Sequence, residues 1–251
     1  MGNACCSERS DQDSQATKPV KLAEPSSAPG NQGNTNTLPS TYKQDVESFN
    51  RGPSDFFSLN DKILNLITKH PISNLNINTA VSQTSFEKID STMSARPHKY
   101  FGQTKAGSKE GVGQLHYTDE RGEFVVCTFV GGSANGNGAA YYPNGDYFEG
   151  EFRQGQQHQG ILYLATQDKY EGAFEGGLYH GKGQLTFADG RKYVGEFSKG
   201  VRNGYGNYTW PNGSSYNGNW KDGKQHGKGI FIDEKGVTFD GEFYQGKKVL
   251  K

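Results

Sequence analysis

The stretch "KYVGEFSKGVRNGYGNYTWPNG", residues 192–213, alternates as a β-strand does, yet it places glycines where strand side chains should pack. Glycine inside a strand normally weakens it and often marks a close approach of another group to the backbone. Tyr193, Gly195 and Phe197 are two residues apart, so in a strand they share one face. This spacing predicts a sheet in which large rings cover the space that glycines leave vacant.

The same pattern recurs along the chain from Tyr100 to the C-terminus, so the repeat decides the architecture. We call the first aromatic or apolar residue of each unit its anchor, and the anchors are Tyr100, Val125, Phe148, Tyr170, Tyr193, Tyr216 and Phe239. Glycine follows two residues after every anchor but one, where Cys127 replaces it, and seven residues after every anchor. An aromatic residue follows four after every anchor except Tyr100, where Thr104 departs. The clearest units are Tyr170, Gly172, Phe174, Gly177; Tyr193, Gly195, Phe197, Gly200; and Tyr216, Gly218, Trp220, Gly223.

Two further glycines and a turn complete each unit. Glycines stand eleven and thirteen residues after the anchor, as Gly204 and Gly206 do, and only the unit anchored at Phe148 breaks this pair. The segments "YPNG" (142–145), "FADG" (187–190) and "WPNG" (210–213) contain residues typical of turns. Each unit is therefore predicted to be one β-hairpin, and residues 100–251 to form six hairpins and a terminal half repeat with ~13 strands.

The segments "YEGAFEGGLYHGKGQLTFADG" (170–190) and "YNGNWKDGKQHGKGIFIDEKG" (216–236) resemble MORN (membrane occupation and recognition nexus) repeats. The resemblance covers residues 100–251. It implies an all-β fold, an elongated single-layer antiparallel sheet of tandem hairpins. It also implies a role in assembly, dimerisation or attachment to a membrane, and no catalysis, because enzymatic activities of some relatives belong to additional domains.

The first 99 residues are polar, rich in Pro, Ser and Asn and without period, which predicts a largely disordered tail. Residues 59–70 are the exception. Ile63, Leu64 and Ile67, with Leu59, fit one side of a short helix that Pro71 ends. Such a helix either forms transiently or packs on the rest of the chain, or it binds a partner.

The N-terminal "MGNACCS" resembles an acylation signal. Gly2 after Met1 is the acceptor that N-myristoylation requires, and Cys5 and Cys6 resemble sites of S-palmitoylation, although Cys6 stands where Ser or Thr is usual. The alternative is an unmodified, disordered start. One myristoyl chain binds membranes only marginally, and the basic and acidic residues of positions 1–21 balance, so the cysteines are the candidate second anchor.

Overall composition limits the function classes. The chain has 35 glycines and 32% hydrophobic residues, which argues against one large close-packed core, while its 14 tyrosines and 15 phenylalanines argue against pure disorder. Residues 1–251 contain neither a spanning apolar run nor a secretory signal, so we expect the cytoplasmic face of a membrane, at the plasma membrane or the cortical or ciliary cytoskeleton.

Charge is uneven along the repeats. Residues 100–190 carry six basic and eleven acidic side chains, and residues 191–251 carry eleven and six. The basic end, with Lys247, Lys248 and Lys251, is a candidate contact for anionic lipid headgroups or for the acidic end of another molecule. A solvated, merely uneven surface is the alternative.

These patterns favour a non-enzymatic scaffold or adaptor, tethered by acyl chains, whose ribbon binds a protein partner or a second copy. The alternative makes the ribbon itself a phosphoinositide-binding or anionic-lipid-binding module. Gly176, Gly181 and Lys182 have phosphate-loop spacing, but Gly183 stands where the loop needs Ser or Thr. The sequence predicts no catalytic residues, no cofactor or metal site and no nucleic-acid partner.

Overall fold

The computed structural model describes residues 57–71, 85–91 and 96–250. These residues form one open antiparallel sheet of fifteen strands whose spatial order is the order of the sequence. The strands are β1 (Ser85–Ser91), β2 (His98–Lys105), β3 (Ser108–Tyr117), β4 (Phe124–Val130), β5 (Ser133–Tyr141), β6 (Tyr147–Arg153), β7 (Gln156–Tyr163), β8 (Lys169–Glu175), β9 (Leu178–Thr186), β10 (Lys192–Ser198), β11 (Val201–Thr209), β12 (Ser215–Lys221), β13 (Lys224–Ile232), β14 (Thr238–Tyr244) and β15 (Lys247–Val249). The predicted all-β ribbon of stacked hairpins is confirmed.

The sheet is longer than the repeat predicts at both ends. It begins at Ser85 instead of residue 100, and the short β15 pairs with Glu242–Tyr244 after the last anchor. β1 carries no repeat signal because it needs no glycine. Its Glu87 pairs with Gly102 of β2. The Tyr100 ring lies over Gly102 and over Gly113 of β3, the strand on the other side of β2 from β1.

Tight turns join the two strands of each hairpin. Lys199 and Gly200 are the two loop residues between Ser198 and Val201, and their φ angles are 50° and 84°. Two positive φ values define a type I′ turn, which matches the twist of the flanking strands and favours glycine at the second position. This requirement explains the glycine seven residues after each anchor. The Gly200 N–H also donates to Tyr179 O in the preceding unit, so the turns bond consecutive hairpins together.

The connections between hairpins lie on the opposite long edge of the sheet. In the connection 210–214 the Gly213 N–H donates to Trp210 O, and the Trp210 N–H donates to Ser214 O. Corresponding bonds close the connections that contain "YPNG" and "FADG".

The unit anchored at Phe148 keeps its second glycine in a shifted position. Gly160 pairs with Gly150, and a Cβ at Gly160 would lie 2.8 Å from the Phe148 ring. One residue is missing from β7 relative to β9 and β11, so Gly160 stands twelve residues after the anchor instead of thirteen. The sequence pattern is broken there, whereas the packing is retained.

The helix α1 (Asp61–Lys69) lies in the segment where the sequence predicts a helix. The Asn60 side chain accepts a hydrogen bond from the Ile63 N–H and caps the helix, with Asp61 in the first turn and Lys69 in the last. The helix ends before Pro71, because proline restricts the residue that precedes it.

Candidate interaction surfaces

One face of the sheet, which we call the aromatic face, carries the anchors in a continuous cross-strand row. Tyr170 and Tyr193 both pair with Leu185, and Tyr208 pairs with both Tyr193 and Tyr216. The anchors Tyr100, Tyr170, Tyr193 and Tyr216 are fully buried. A single sheet therefore builds its apolar core along one face.

The rings of five anchors each occupy the space above two paired glycines: Tyr100, Phe148, Tyr170, Tyr193 and Tyr216. A Cβ added at Gly195 would lie 2.6 Å from the Tyr193 hydroxyl oxygen and 2.5 Å from the Gly206 Cα atom. The structure places Gly172 under Tyr170 and Gly218 under Tyr216 in the same way. Any side chain at these positions would displace the ring.

A second set of rings separates the anchors. Phe197 meets Tyr193 edge-on at a centroid distance of 5.0 Å and also meets Tyr170 edge-on at 5.2 Å. Trp220 contacts Tyr216 and Tyr193 in the same way, at 5.3 Å and 5.2 Å. Phe174 lies between Phe148 and Tyr170 in the equivalent position. Edge-to-face pairs add about 0.5–1.5 kcal/mol each beyond area burial, so the aromatic row couples neighbouring units.

Side chains nine residues after the anchors cover several rings from above. Tyr179 stacks on Tyr170 at 3.8 Å, the Arg202 guanidinium lies 6.0 Å from the Tyr193 ring centroid and 4.7 Å from that of Trp220, and Lys248 Nζ lies 4.9 Å from that of Phe239. Contacts of this kind between a cation and a ring are attractive. The anchor rings are thus enclosed between glycine backbone and a covering side chain.

The anchor hydroxyls make a bond that the sequence analysis missed. Tyr193 donates to Glu196 O at 3.0 Å, and Tyr170 and Tyr216 donate to the carbonyl three residues on at 2.8 Å and 2.9 Å. Register shifts lie at the same places in the strands. The hydroxyl therefore satisfies a carbonyl beside a β-bulge, and burial raises the pKa of Tyr216 to about 12. Tyrosine recurring at the anchor was the only available signal.

Cys127 is buried at the position where other units have glycine. Its unit has the smaller anchor Val125, so the thiol occupies space that a ring takes elsewhere. Burial raises the pKa of the Cys127 thiol to about 12.

The opposite face, which we call the outer face, has a buried apolar cluster in the first units, where α1 covers it. Ile63 of α1 is fully buried, and the buried sheet residues of this contact are Val112, Phe124, Val126, Ala139, Tyr141 and Tyr147. Phe57 meets Phe124 at 5.3 Å, and Tyr141 donates a hydrogen bond to His70 O at 2.9 Å. The helix predicted from sequence is thus packed on the chain itself.

The docking site has a sequence signal that the repeat analysis overlooked. β4 reads "FVVCTFV" where β10 reads "KYVGEFS", so Phe124 and Val126 put apolar side chains on the outer face, whereas the equivalents in β10 are Lys192 and the exposed Val194. A strand that is buried on both faces lacks the alternation of polar and apolar residues that the equivalent strands of other repeats show.

The C-terminal end of the sheet is open. β15 pairs only with Glu242–Tyr244, so residues 238–241, which pair with β13 on one side, have no strand partner on their other side among residues 57–71, 85–91 and 96–250. Val237, Tyr244 and Val249 are exposed there, and Leu250 is 80% exposed. Among the predicted anion-binding residues, Lys247 and Lys248 lie in β15, Lys248 over aromatic rings, and Lys251 lies outside the described residues.

The two long edges of the ribbon differ in charge. The type I′ turn edge carries Lys105, Arg153, Lys199, Lys221, Lys224 and Lys247 against Glu175 and Asp222. The opposite edge, formed by the connections between hairpins and the strand ends beside them, carries Asp119, Glu120, Glu123, Asp146, Asp168, Asp189, Asp233 and Glu234 against Arg96, Arg121, Lys169, Arg191, Lys192 and Lys235. The charge therefore differs across the ribbon as well as along it.

The predicted acylation residues Gly2, Cys5 and Cys6 lie outside the described residues, as does most of the predicted tail. In the part of the chain that the structure describes, no helix has both the length and the apolar character needed to cross a membrane. The described residues also contain no cluster of three His, Cys, Asp or Glu side chains placed to hold a metal ion.

Comparison with known families identifies the repeat. The family model of the MORN repeat matches residues 128–147, 148–158, 170–190, 193–215 and 216–238. Four of these segments begin at the anchors Phe148, Tyr170, Tyr193 and Tyr216, and the shortest ends before the shifted Gly160. The MORN repeat is therefore detected in these five segments, and this repeat suggests a role in interaction with proteins or lipids. The chain matches no curated protein.

Proposed function

We propose that this protein is a non-enzymatic, membrane-tethered scaffold. Its N-terminus is myristoylated at Gly2 and palmitoylated at Cys5 and Cys6, and its ribbon binds a second copy or another protein at the cytoplasmic face of a membrane. The observation that carries the interaction role is the open C-terminal edge, where β14 is unpaired on its outer side along residues 238–241 and adjoins exposed apolar side chains. Such an edge offers backbone groups and apolar surface to an added strand.

The acylation part of the proposal is tested in cells with the full chain tagged at its C-terminus. Gly2→Ala removes incorporation of a myristate analogue and moves the protein to the soluble fraction. Cys5→Ser with Cys6→Ser retains the myristate analogue but weakens membrane retention, because one acyl chain binds only marginally. Ser7→Ala is the control and stays with membranes. Full membrane association of the Gly2→Ala variant contradicts the tether.

The edge is tested by light scattering on the full chain after size-exclusion chromatography. Val237→Asp with Leu250→Asp places two charges on the open edge, and we expect it to convert a dimer into a monomer. Val194→Asp, at an exposed outer-face position in mid-ribbon, leaves the dimer intact. A monomeric wild-type chain, or a dimer that withstands the double substitution, contradicts self-association through this edge.

A second candidate function is direct binding of anionic lipid, and the basic turn edge favours it. Lys199 lies in one turn and Lys221 and Lys224 flank the next, and the two turns are separated by two strand spacings or roughly 10 Å. In vesicle flotation with unacylated full chain, we expect binding to phosphoinositide vesicles that Lys199→Glu, Lys221→Glu and Lys224→Glu together abolish and that added salt weakens. Lys182→Glu, Lys192→Glu and Lys228→Glu, which remove the same charge from strand positions away from the turn edge, are the control. Salt-insensitive binding, or equal loss in both variants, contradicts this site.

A further inference from the structure

The contact between α1 and the sheet includes a histidine at each end of the helix. His70 follows α1, and its ring stacks on Tyr147 with a centroid distance of 4.2 Å and an interplanar angle of 15°. At the other end, His116 of β3 meets the Phe57 ring edge-on at 6.4 Å and makes a hydrogen bond with the Phe57 backbone. Both imidazoles therefore contact the segment that binds the outer face.

His116 is in the less favourable position to accept a proton. Its Nδ1 atom is buried without a hydrogen-bond partner. Protonation would place an N–H donor and a positive charge at this atom with no acceptor, which is costly in a buried site. Releasing Phe57 and α1 would open His116 to water and remove that cost.

The net effect of the surroundings on the pKa of His116 has the same direction. Burial lowers the pKa of His116, Lys99 on β2 lowers it further, and the Phe57 backbone bond and Asp119 oppose this only in part. The aromatic neighbour from β4, Phe124, carries no charge.

The effects on the pKa of His70 oppose one another more evenly. Burial and the adjacent Lys69 lower its pKa, while Glu149 on β6 raises it. Tyr147 donates a hydrogen bond to Glu149, and Tyr163 of β7 lies 5.7 Å from the His70 ring. A protonated imidazole on the Tyr147 ring would also gain a cation–π attraction. His70 therefore contributes less to any response to acid.

We propose that His116 is the trigger of a clasp that holds α1 on the outer face at neutral pH and releases it in mild acid. Release uncovers the buried outer-face aromatics Phe124, Tyr141 and Tyr147. Among the described residues, release also moves the first segment held on the sheet from residue 57 to β1, so that an N-terminal tether would lengthen; this consequence alone rests on the proposed membrane anchor.

The pH window follows from linkage. Above about pH 6.5, the ordinary histidine pKa, both the docked and the released state hold a neutral His116 and docking is at full strength. Below it the released state binds a proton that the docked state does not, so docking weakens by up to about tenfold per pH unit. The weakening stops at the lower pKa of the docked state.

Amide hydrogen exchange of residues 63–69 in the full chain, corrected for the intrinsic pH dependence of exchange, measures release. We expect protection to be constant from pH 8 to about 6.5 and then to fall by up to about tenfold per pH unit, while β10–β13 stay protected. His116→Gln, which retains a side-chain donor, removes the fall, whereas His226→Gln, at a histidine in β13 far from α1, retains it. His70→Phe changes the fall only slightly.

Two results would overturn the clasp: pH-independent protection of α1 in the wild type, or an unchanged fall in His116→Gln. If His116→Gln weakens docking at every pH, titration of the His116 imidazole by NMR in the wild type decides. A pKa below about 6.5 that rises when Ile63→Asp removes the docked helix supports the proposal, and a pKa at or above it contradicts the proposal.

Discussion

At the scale of single residues, the anchor tyrosine has two functions, and a phenylalanine at the same position could perform only one of them. Its ring lies over paired glycines, and its hydroxyl satisfies the carbonyl beside a bulge, as Tyr193 does with Glu196 O at 3.0 Å. Phe148 and Phe239 occupy anchor positions without the hydroxyl, so the ring suffices for the packing there and the hydrogen bond adds stability at the tyrosines.

Removing one anchor hydroxyl should therefore lower the stability of the fold by a small but measurable amount. Tyr193→Phe leaves the Glu196 carbonyl without its partner, and we expect the free energy of unfolding to fall by about 1–2 kcal/mol in urea denaturation. Tyr205→Phe is the matched control, because the Tyr205 side chain is 54% exposed. Equal effects of the two substitutions would show that the bond at the bulge contributes nothing.

The buried anchors also predict sensitivity to alkali. The pKa of Tyr216 is about 12 in the folded chain and about 10 when unfolded. Between these values only the unfolded state loses the proton, so this tyrosine lowers the free energy of unfolding by about 1.4 kcal/mol per pH unit as pH rises above 10.

Tyr216→Phe should remove the contribution of one proton from the slope of the free energy of unfolding against pH. Denaturation at pH 9, 10 and 11 measures this slope. Tyr244→Phe, at an exposed position, should leave it unchanged. Identical slopes for wild type and Tyr216→Phe would contradict a protected hydroxyl.

Much of this residue-scale packing follows from spacing alone, because glycine two residues after a ring leaves a vacancy that only the ring can fill. The hydroxyl bond does not follow, since phenylalanine fits the same vacancy and hides the role of the oxygen. The role of the shifted Gly160 is also not predictable from spacing, because one missing residue changes the spacing while the cross-strand pair with Gly150 is retained.

At the scale of elements, α1 shows that a strand pattern must be read on both faces. The helix itself is predictable from the spacing of Ile63 and Ile67 and from Pro71, but its binding site depends on Phe124 and Val126, which the repeat pattern does not include. The repeat pattern does not predict β1 either, since β1 pairs with the strand of Tyr100 without supplying a glycine.

Docking of α1 should depend on its buried side chain. Ile63→Ala removes a fully buried residue, and we expect a loss of about 2–4 kcal/mol in the local stability of α1, measured by hydrogen exchange of residues 63–69. Leu64→Ala, at a side chain that is 41% exposed in the same helix, is the control and should change protection much less. Similar losses in both variants would contradict the docked arrangement.

At the scale of the whole molecule, the ribbon is nearly one-dimensional, since each strand pairs only with its sequence neighbours. Stability then depends on contacts between adjacent units, chiefly the rings that meet edge-on across each hairpin boundary. A defect in a central unit should consequently uncouple the two halves, whereas a defect at either end should remain local.

The most direct test of rings resting on paired glycines is urea unfolding of Gly195→Ala, compared with Gly213→Ala, by circular dichroism and tryptophan fluorescence. A Cβ at Gly195 would collide with the Tyr193 ring and the Gly206 backbone, while one at Gly213 meets no atom within 4 Å and costs only about 1 kcal/mol for its positive φ. We expect Gly195→Ala to lose at least about 3 kcal/mol and to replace one cooperative transition by two. A single transition with the midpoint and slope of Gly213→Ala would contradict the account.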